Sequence, residues 1–386
     1  VDFELTSEQR AFRDAARDFA AKEFAPHAAR WDAESIFPKQ AIALAGQQGF
    51  CGMYATAEAG GLALPRLDTA IVFEELAAVD PSTTAFISIH NMATWMLSKW
   101  GTPAVIERWG EALTSGVKLA SYCLTEPGAG SDAASLTTRA ELSGNNYVLN
   151  GAKAFISGAG STDVLIVMAR TGRPGAAGIS AFAVPAESAG ISYGKNEEKM
   201  GWKSQPTRSI TFVDVKVPAD HLLGNEGDGF KIAMRGLDGG RINIAACSVG
   251  AAQGALRAAR TYVLERRQFD RPLADFQAIQ FKLADMATEL VAARQMIYLA
   301  ASKLDADSPN ATVFCAMGKR LATDLGFKIC NEALQIHGGY GYLREFPLER
   351  LLRDVRVHQI LEGTNEIMRV IVARHLISGD PNEDLH

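Results

Sequence analysis

The sequence predicts an α+β protein in three parts: an N-terminal helical domain over residues 1–118, a β domain over 119–222, and a domain resembling a four-helix bundle over 223–386. Three observations predict it. A helical start signal opens the chain, short apolar runs divided by glycine and proline fill its middle, and a long apolar stripe spaced alternately by four and three crosses its last third. The 386 residues, 47% hydrophobic and 22% charged, are an ordinary globular composition with enough chain for a sizeable core.

In the first part, Thr6 and Gln9 have capping-box spacing, and Phe12, Ala16, Phe19, Ala20 and Phe24 follow at helical intervals. Further helices are expected over 38–49, 68–79 and 103–113, separated by Gly60-Gly61, Pro81 and Gly101. In the second part, Val164 to Met168 and Ile179 to Val184 read as strands. Asn150-Gly151, between Tyr147-Val148-Leu149 and Ala154-Phe155-Ile156, predicts a two-residue hairpin turn, and Val213, Val215 and Val217 alternate with Asp214 and Lys216. In the third, Ile279, Leu283, Met286, Leu290, Ala293, Ile297, Ala300 and Leu304 form the packed face of one helix. Residues 379–386 read as a frayed end.

A net charge of −5 leaves no basic footprint for nucleic acid. No run reaches the roughly 18 apolar residues of a membrane span. The cysteines at 51, 123, 247, 315 and 330 form neither a CxxC pair nor a metal-ligand spacing, which points to a reducing compartment. The acidic start VDFELTSEQR does not read as a targeting segment. The expectation is a bacterial cytoplasmic protein, with a trimmed chain of the mitochondrial matrix as the alternative.

Two stretches carry chemistry. In residues 359–367, QILEGTNEI, Glu362 precedes Gly363, where the backbone can approach a flat ligand without a Cβ in the way. Thr364 and Asn365 can cap a helix starting near Glu366 and touch the same ligand. Taken alone, these residues read more readily as a loop with a surface acid. In residues 122–132, YCLTEPGAGSD, Gly128 and Gly130 free main-chain N–H groups for a ligand while Thr125 and Ser131 offer hydroxyls.

Thr125 to Asp132, followed by Gly151 to Ser157 and closed by Leu361 to Asn365, resembles the acyl-CoA dehydrogenase family, and the likeness covers essentially the whole chain. That resemblance implies the fold of that family, FAD between the last two domains, an acyl-CoA substrate, transfer of electrons to an electron-transferring flavoprotein, and a homotetramer. It implies flavin contacts from Tyr122, Leu124, Thr125, Gly130, Ser131, Phe155, Ile156 and Ser157, with Thr125 and Ser157 at the polar edge. Phe155 stands where Trp is commoner, and on the residues alone it reads equally as a core aromatic of the hairpin. Arg266, Gln268, Phe269, Phe276 and Gln277 resemble the part that reaches the FAD of a neighbouring subunit, with Arg266 on its pyrophosphate. Gln335, Ile336, Gly338 and Gly339 resemble a further dinucleotide contact, and Thr364, Asn365 and Glu366 complete the set. His337 reads instead as a satisfied core residue. Ser131, Asp238, Gly239, Gly240, Arg241 and Arg374 resemble the acyl-CoA contacts, each charged residue being equally a candidate for a structural ion pair.

The implied chemistry is removal of a proton α to a thioester by Glu362, in a dry pocket that raises its pKa by roughly two units from about 4.3. The β-hydrogen passes to the flavin, and the Glu362 N–H with a ribityl hydroxyl stabilises the charge on the thioester oxygen. Some members carry the base just before the Arg of the 238–241 segment. Here that position is Gly240, which cannot accept a proton, so the base is Glu362. AKAFISGAG (152–160), GWKSQPTR (201–208), RGLDGGRINIA (235–245) and RVHQILEGTNE (356–366) resemble the branch of the family that converts isobutyryl-CoA to methacrylyl-CoA in valine breakdown. Short straight-chain and 2-methylbutyryl substrates are the alternatives. An acyl-CoA oxidase and a non-catalytic acyl-CoA-binding or assembly protein on the same fold are the other readings. Chain length argues against the first, and Glu362 with Thr125, Ser131 and Arg266 against the second.

Overall fold

A computed structural model describes residues 3–379 and 385 of the chain. Of the expected frayed end, all but Gly379 and Leu385 therefore lies outside the described residues. The capping box forms: the Gln9 N–H donates to Thr6 Oγ1 and the Thr6 N–H to Gln9 Oε1, each at 3.1 Å. It starts α1 (Ser7–Phe19), which runs on through a wider π turn at Ala20–Phe24 and buries Ala16, Ala20 and Phe24. Helices α2 (Ala28–Glu34), α3 (Lys39–Gln47) and α4 (Arg66–Ala77) follow.

Pro81, expected to separate two helices, instead opens the twenty-residue α5 (Pro81–Trp100). At the first helical position its missing N–H has no helical partner to lose. The helix shows no amphipathic stripe because it is buried nearly all round, and its polar residues are satisfied inside the protein; Asn91 Nδ2, for example, donates to Ile87 O at 2.9 Å and to Phe50 O at 2.8 Å. α6 (Pro103–Thr114) closes the helical region, capped by Thr102.

The next region is an eight-stranded sheet. Its strands are β1 (Ala120–Cys123), β2 (Arg139–Ser143), β3 (Asn146–Ser157), β4 (Val164–Arg170), β5 (Ile179–Pro185), β6 (Ile191–Tyr193), β7 (Thr207–Pro218) and β8 (Leu222–Leu223). The order is β6-β7-β3-β2-β4-β5-β8, with β1 parallel to β4. The Asn150-Gly151 turn does not form. β3 runs straight through it, and the chain reverses earlier, at Gly144-Asn145 between β2 and β3. Asn150 is held across the sheet, where it accepts the Asp214 N–H at 2.9 Å and donates to Asp214 Oδ1 at 3.1 Å. The strand pairing shifts register between Leu149 and Gly151, so the dipeptide marks a bulge. A Cβ on Gly151 would lie 2.6 Å from the Thr138 backbone, which is why glycine stands there. Opposite it, Asp214 has φ +51, and the expected alternation breaks: Val213 is exposed while Val215 and Val217 are buried.

Helices then return. α7 (Gly229–Glu265) is the central rod, followed by the ribbon β9 (Arg267–Gln268) and β10 (Arg271–Pro272), then α8 (Gln277–Asp305), α9 (Ala311–Ile336), α10 (Leu348–Arg356) and α11 (Asn365–Ser378). The α8 stripe packs inward through Met286, Leu290, Ala293, Ile297 and Ala300, with Ile279 and Leu283 half-buried. The sheet docks on the bundle at Trp202, whose N–H donates to Asp354 Oδ1 at 2.6 Å and whose indole N–H donates to His358 Nε2 at 3.3 Å. This joint sits just before the 359–367 loop. Among the described residues no helix is long and apolar enough to cross a membrane, and no group of His, Cys, Asp and Glu converges to hold a metal.

Candidate active site

Glu362 lies between α10 and α11 in a left-handed backbone conformation, φ +54, followed by Gly363 at φ +91. A non-glycine residue in that region is strained, and such strain persists only where its surroundings over-determine it. The determinants are identifiable. Lys319 of α9, fully buried, donates from Nζ to Gly363 O at 2.8 Å and to Asn365 Oδ1 at 2.9 Å. Asn365 donates to Thr323 Oγ1 at 2.9 Å and Asp324 Oδ1 at 2.7 Å. Thr364 caps α11 by accepting the Ile367 N–H, so the helix begins at Asn365. Asn365 thus has its side chain committed inside the chain, and Glu366 is exposed.

The carboxylate faces α7. Glu362 Oε2 is buried without a hydrogen-bond partner, and a methyl group at Gly240 would lie 2.5 Å from it. Glycine at 240 is therefore what lets the acid rest against the helix. Burial pushes the Glu362 carboxyl up to about 7, against the pull of Lys319 and Arg241. Burial likewise brings Lys319 down to about 8, with Glu362 opposing. Asp238 and Arg241 form a buried ion pair at 2.7 Å, Asp238 also accepts from Thr312 Oγ1, and Arg241 Nε reaches Glu362 O at 3.4 Å. Their charges are satisfied within the chain. Arg374 is exposed, nine residues along α11 from Asn365, or about 14 Å at the helical rise.

The glycine-rich loop leaves β1 beside this acid. The Tyr122 hydroxyl is buried and unpartnered, and its pKa is pushed up first by burial and then by Glu362. Leu124 and Ile156 turn their side chains into the core, so only their backbone is available to a ligand. Thr125 accepts the Ala154 N–H at 2.9 Å and Ser157 O accepts from Ser121 Oγ at 2.7 Å, which ties the loop to β3. Gly130 and Ser131 are exposed, with open space where a Gly130 side chain would be. Phe155 is no core aromatic: it is 70% exposed at φ +57.

One residue pair that the sequence reading passed over fixes this loop. Glu126 and Lys153, both buried, meet at 2.8 Å, and Lys153 Nζ also donates to Leu124 O at 3.1 Å. Burial disfavours the charge on Glu126, but Lys153 and the Thr137 and Thr138 donors outweigh it and hold the carboxyl at about 2. The available signal was a lysine between two alanines in a strand whose alternation points inward.

A second cluster forms at the far end of α7. Arg266, Gln268, Ile336, Gly338 and Gly339 line a cavity of about 360 Å³ together with Tyr262 and Tyr340. The Arg266 guanidinium lies 5.5 Å from the Tyr340 ring centroid, and nothing stands within 4 Å of a side chain built on Gly338 or Gly339. His337 is buried, bonded through Nδ1 to Ala333 O at 2.8 Å and stacked on Tyr262. Gln277 and Gln335 are exposed near this end, Phe269 is 88% exposed at φ +52, and Phe276 lies under Arg271. Residues 241 and 266 are 25 positions apart on the helix and at its end, or roughly 37 Å at the helical rise. The expected contacts thus fall into two separate groups in one chain.

Both groups fit parts of a flavin dinucleotide: an apolar face and unmet polar atoms beside the acid, and an arginine with open glycine backbone at the other. Models of the acyl-CoA dehydrogenase N-terminal, middle and C-terminal domains match residues 6–117, 121–215 and 227–377. The chain is 51% identical over 373 residues to the mitochondrial isobutyryl-CoA dehydrogenase of Bos taurus, covering 97% of this chain and 90% of that protein. It is 52% identical over 377 residues to that of Dictyostelium discoideum, covering 97% and 91%. A chain solved in work on the electron transferring flavoprotein of Acidaminococcus fermentans and flavin-based electron bifurcation superposes with TM-score 0.95 at 40% identity, covering 98% of this chain and 100% of that one.

Proposed function

The chain belongs to the acyl-CoA dehydrogenase family, and from that premise we propose that it oxidises isobutyryl-CoA to methacrylyl-CoA in valine breakdown, with Glu362 as the base. It is an oxidoreductase acting on a CH–CH bond, with FAD as cofactor. The observation that carries the role of Glu362 is its buried, unpartnered Oε2 held against Gly240. A carboxylate there takes the α-proton of the thioester onto Oε2, and its pKa near 7 matches both halves of the task, binding the proton and releasing it. The Glu362 N–H, in a backbone fixed by Lys319 through Gly363, is the chain's own donor for the thioester oxygen. The chemistry supplied by bound FAD is acceptance of the β-hydrogen with its electron pair.

Tyr122, Thr125, Gly130, Phe155 and Ser157 hold the flavin end in this reading, and Arg266, Gln268, Gly338 and Gly339 the dinucleotide end of a neighbour's cofactor. The roughly 37 Å between the two groups supports that division. Leu264, Phe269 and Phe281, exposed at 59%, 88% and 59%, support a homotetramer built on this end of the chain. Likeness to a chain solved with the Acidaminococcus flavoprotein system supports an electron-transferring flavoprotein as acceptor. Five buried free thiols support a reducing compartment, bacterial cytoplasm or mitochondrial matrix.

The test is anaerobic addition of isobutyryl-CoA to the purified yellow protein. The flavin bleaches and recovers its colour only with a protein acceptor. A protein that bleaches faster with octanoyl-CoA sinks the substrate assignment, and recovery with air at catalytic rates makes it an oxidase.

A further inference from the structure

Arg66 has no part in the chemistry above, yet it is 7% exposed at the start of α4, where its backbone N–H donates to Asp305 Oδ1 at 2.7 Å. Its guanidinium lies 3.5 Å from the Tyr54 ring centroid and 4.9 Å from that of Trp95. Stacking on two aromatic faces accounts for the tolerance of the buried charge, but it leaves the edge of the guanidinium unsatisfied. Nη1 is buried without a hydrogen-bond partner.

That edge lies against α7 at the position next to the one the base faces. A methyl group on Gly239 would lie 2.4 Å from Arg66 Nη1, just as one on Gly240 would lie 2.5 Å from Glu362 Oε2. The two glycines are consecutive, with Cα atoms about 3.8 Å apart, so Nη1 and Oε2 approach one turn of α7 within roughly 12 Å of each other. Asn243, a turn further along, donates to Tyr54 Oη at 2.9 Å and has its own Oδ1 buried and unpartnered. Three unmet polar atoms, on Arg66, Asn243 and Glu362, therefore lie along about one turn of α7 beside its paired glycines.

We propose that Arg66 is a specificity-determining residue that forms a charged floor to the acyl end of the site and limits the length of the chain it accepts. The inference rests on the reading of the site as an acyl-CoA dehydrogenase. A four-carbon branched acyl group leaves room for a water on Nη1, whereas a longer straight chain presses methylenes against an N–H that then has no acceptor. A site built around a polar group rejects an apolar occupant far more strongly than an apolar pocket rejects an extra methylene.

The experiment compares the FAD-loaded enzyme with its Arg66→Leu variant, measuring kcat/KM and the anaerobic flavin reduction rate with isobutyryl-, hexanoyl- and succinyl-CoA. The expected result is a rise of at least tenfold in the hexanoyl to isobutyryl ratio, with the limiting reduction rate on isobutyryl-CoA within about threefold of wild type. A ratio that moves less than twofold overturns the proposal. So does a wild-type preference for succinyl-CoA, which would make Arg66 a receptor for a terminal carboxylate. If the Leu variant fails to retain flavin, Arg66→Met, which keeps an unbranched stem beneath Tyr54 and Trp95, carries the same test with the same limits. Failure of the underlying substrate reading shows in wild type alone, as absent bleaching by isobutyryl-CoA. Failure of the floor shows only in the variant-to-wild-type ratio.

Discussion

Two regions of α7 make opposite use of the same rod. In its first half, at Gly239-Gly240, the helix carries no side chains, and the acid it faces has its Oε2 sealed from solvent and unpartnered. At its C-terminal end the helix gives way to an exposed ribbon, and Arg266 opens onto a cavity beside bare glycine backbone, with large apolar residues facing outward. The first site has its buried acid completed by one chain. The second offers donors that one chain leaves unused. In the proposed reading the contrast teaches that acid-base chemistry needs a group held dry, whereas anchoring a charged cofactor tail needs only donors at a surface that a second subunit can close.

The largest effect on the rate should come from the sealed end. Glu362→Gln keeps the shape and removes the basic oxygen, so flavin reduction should slow by about 100 to 10,000-fold while substrate still binds, as read by rapid mixing without oxygen. Reduction at the wild-type rate would remove Glu362 from the mechanism. If Glu362 is the base, as proposed, it works only when ionised. The reduction rate should therefore rise with pH, tenfold per unit well below about 7, and level off above it. Stability has the opposite sign, because a carboxyl whose folded pKa is raised above its unfolded value loses folding free energy as pH climbs from about 4.5 through about 7. Thermal melts of the Gln variant should run above wild type at pH 8 and converge with it near pH 4.

Lys319 tests whether the sealed end depends on its buried partner. Lys319→Met removes two hydrogen bonds from the 363–365 turn and the positive charge that draws the Glu362 carboxyl down. The rate at pH 7 should fall by about tenfold, with the midpoint of the pH profile moved upward. A variant that only melts earlier, with its midpoint unmoved, would reduce Lys319 to a packing residue. Lys319→Arg, which keeps the charge, should restore the midpoint better than the rate.

Much of this contrast could be read from residues alone, and the reason is local. The string from Leu361 to Asn365 combines an acid, a glycine and two caps within five residues, and the α8 stripe repeats over a full helix. What escaped reading depends on distance in the chain. Lys319, Lys153 and Arg66 look like surface charges until the fold brings each to partners far along the sequence. α5 escaped because a helix buried all round has no polar face to give it a period. Asn150-Gly151 has the composition of a turn, yet Asp214 on the neighbouring strand captured its side chain, and a sequence does not show which strand will be the neighbour.

The smallest effect on the rate, and the sharpest on assembly, belongs to Arg266. Its guanidinium is half-buried, stacked near Tyr340, and stands at the mouth of the cavity rather than beside the acid. Arg266→Ala should leave the reduction rate of the flavin that remains bound within about twofold, because no reacting atom is near. Loss of charge-assisted hydrogen bonds, about 1.5 to 3 kcal/mol, should weaken FAD retention by about 10 to 100-fold. If the FAD anchored there belongs to a neighbouring chain, flavin and tetramer must be lost together. Dilution series followed by light scattering and by flavin fluorescence should then give the same midpoint, and the variant should shift both. A monomer that keeps its full complement of FAD, in wild type or variant, would place the whole cofactor at the sealed end and leave the cavity at the far end of α7 for some other anion.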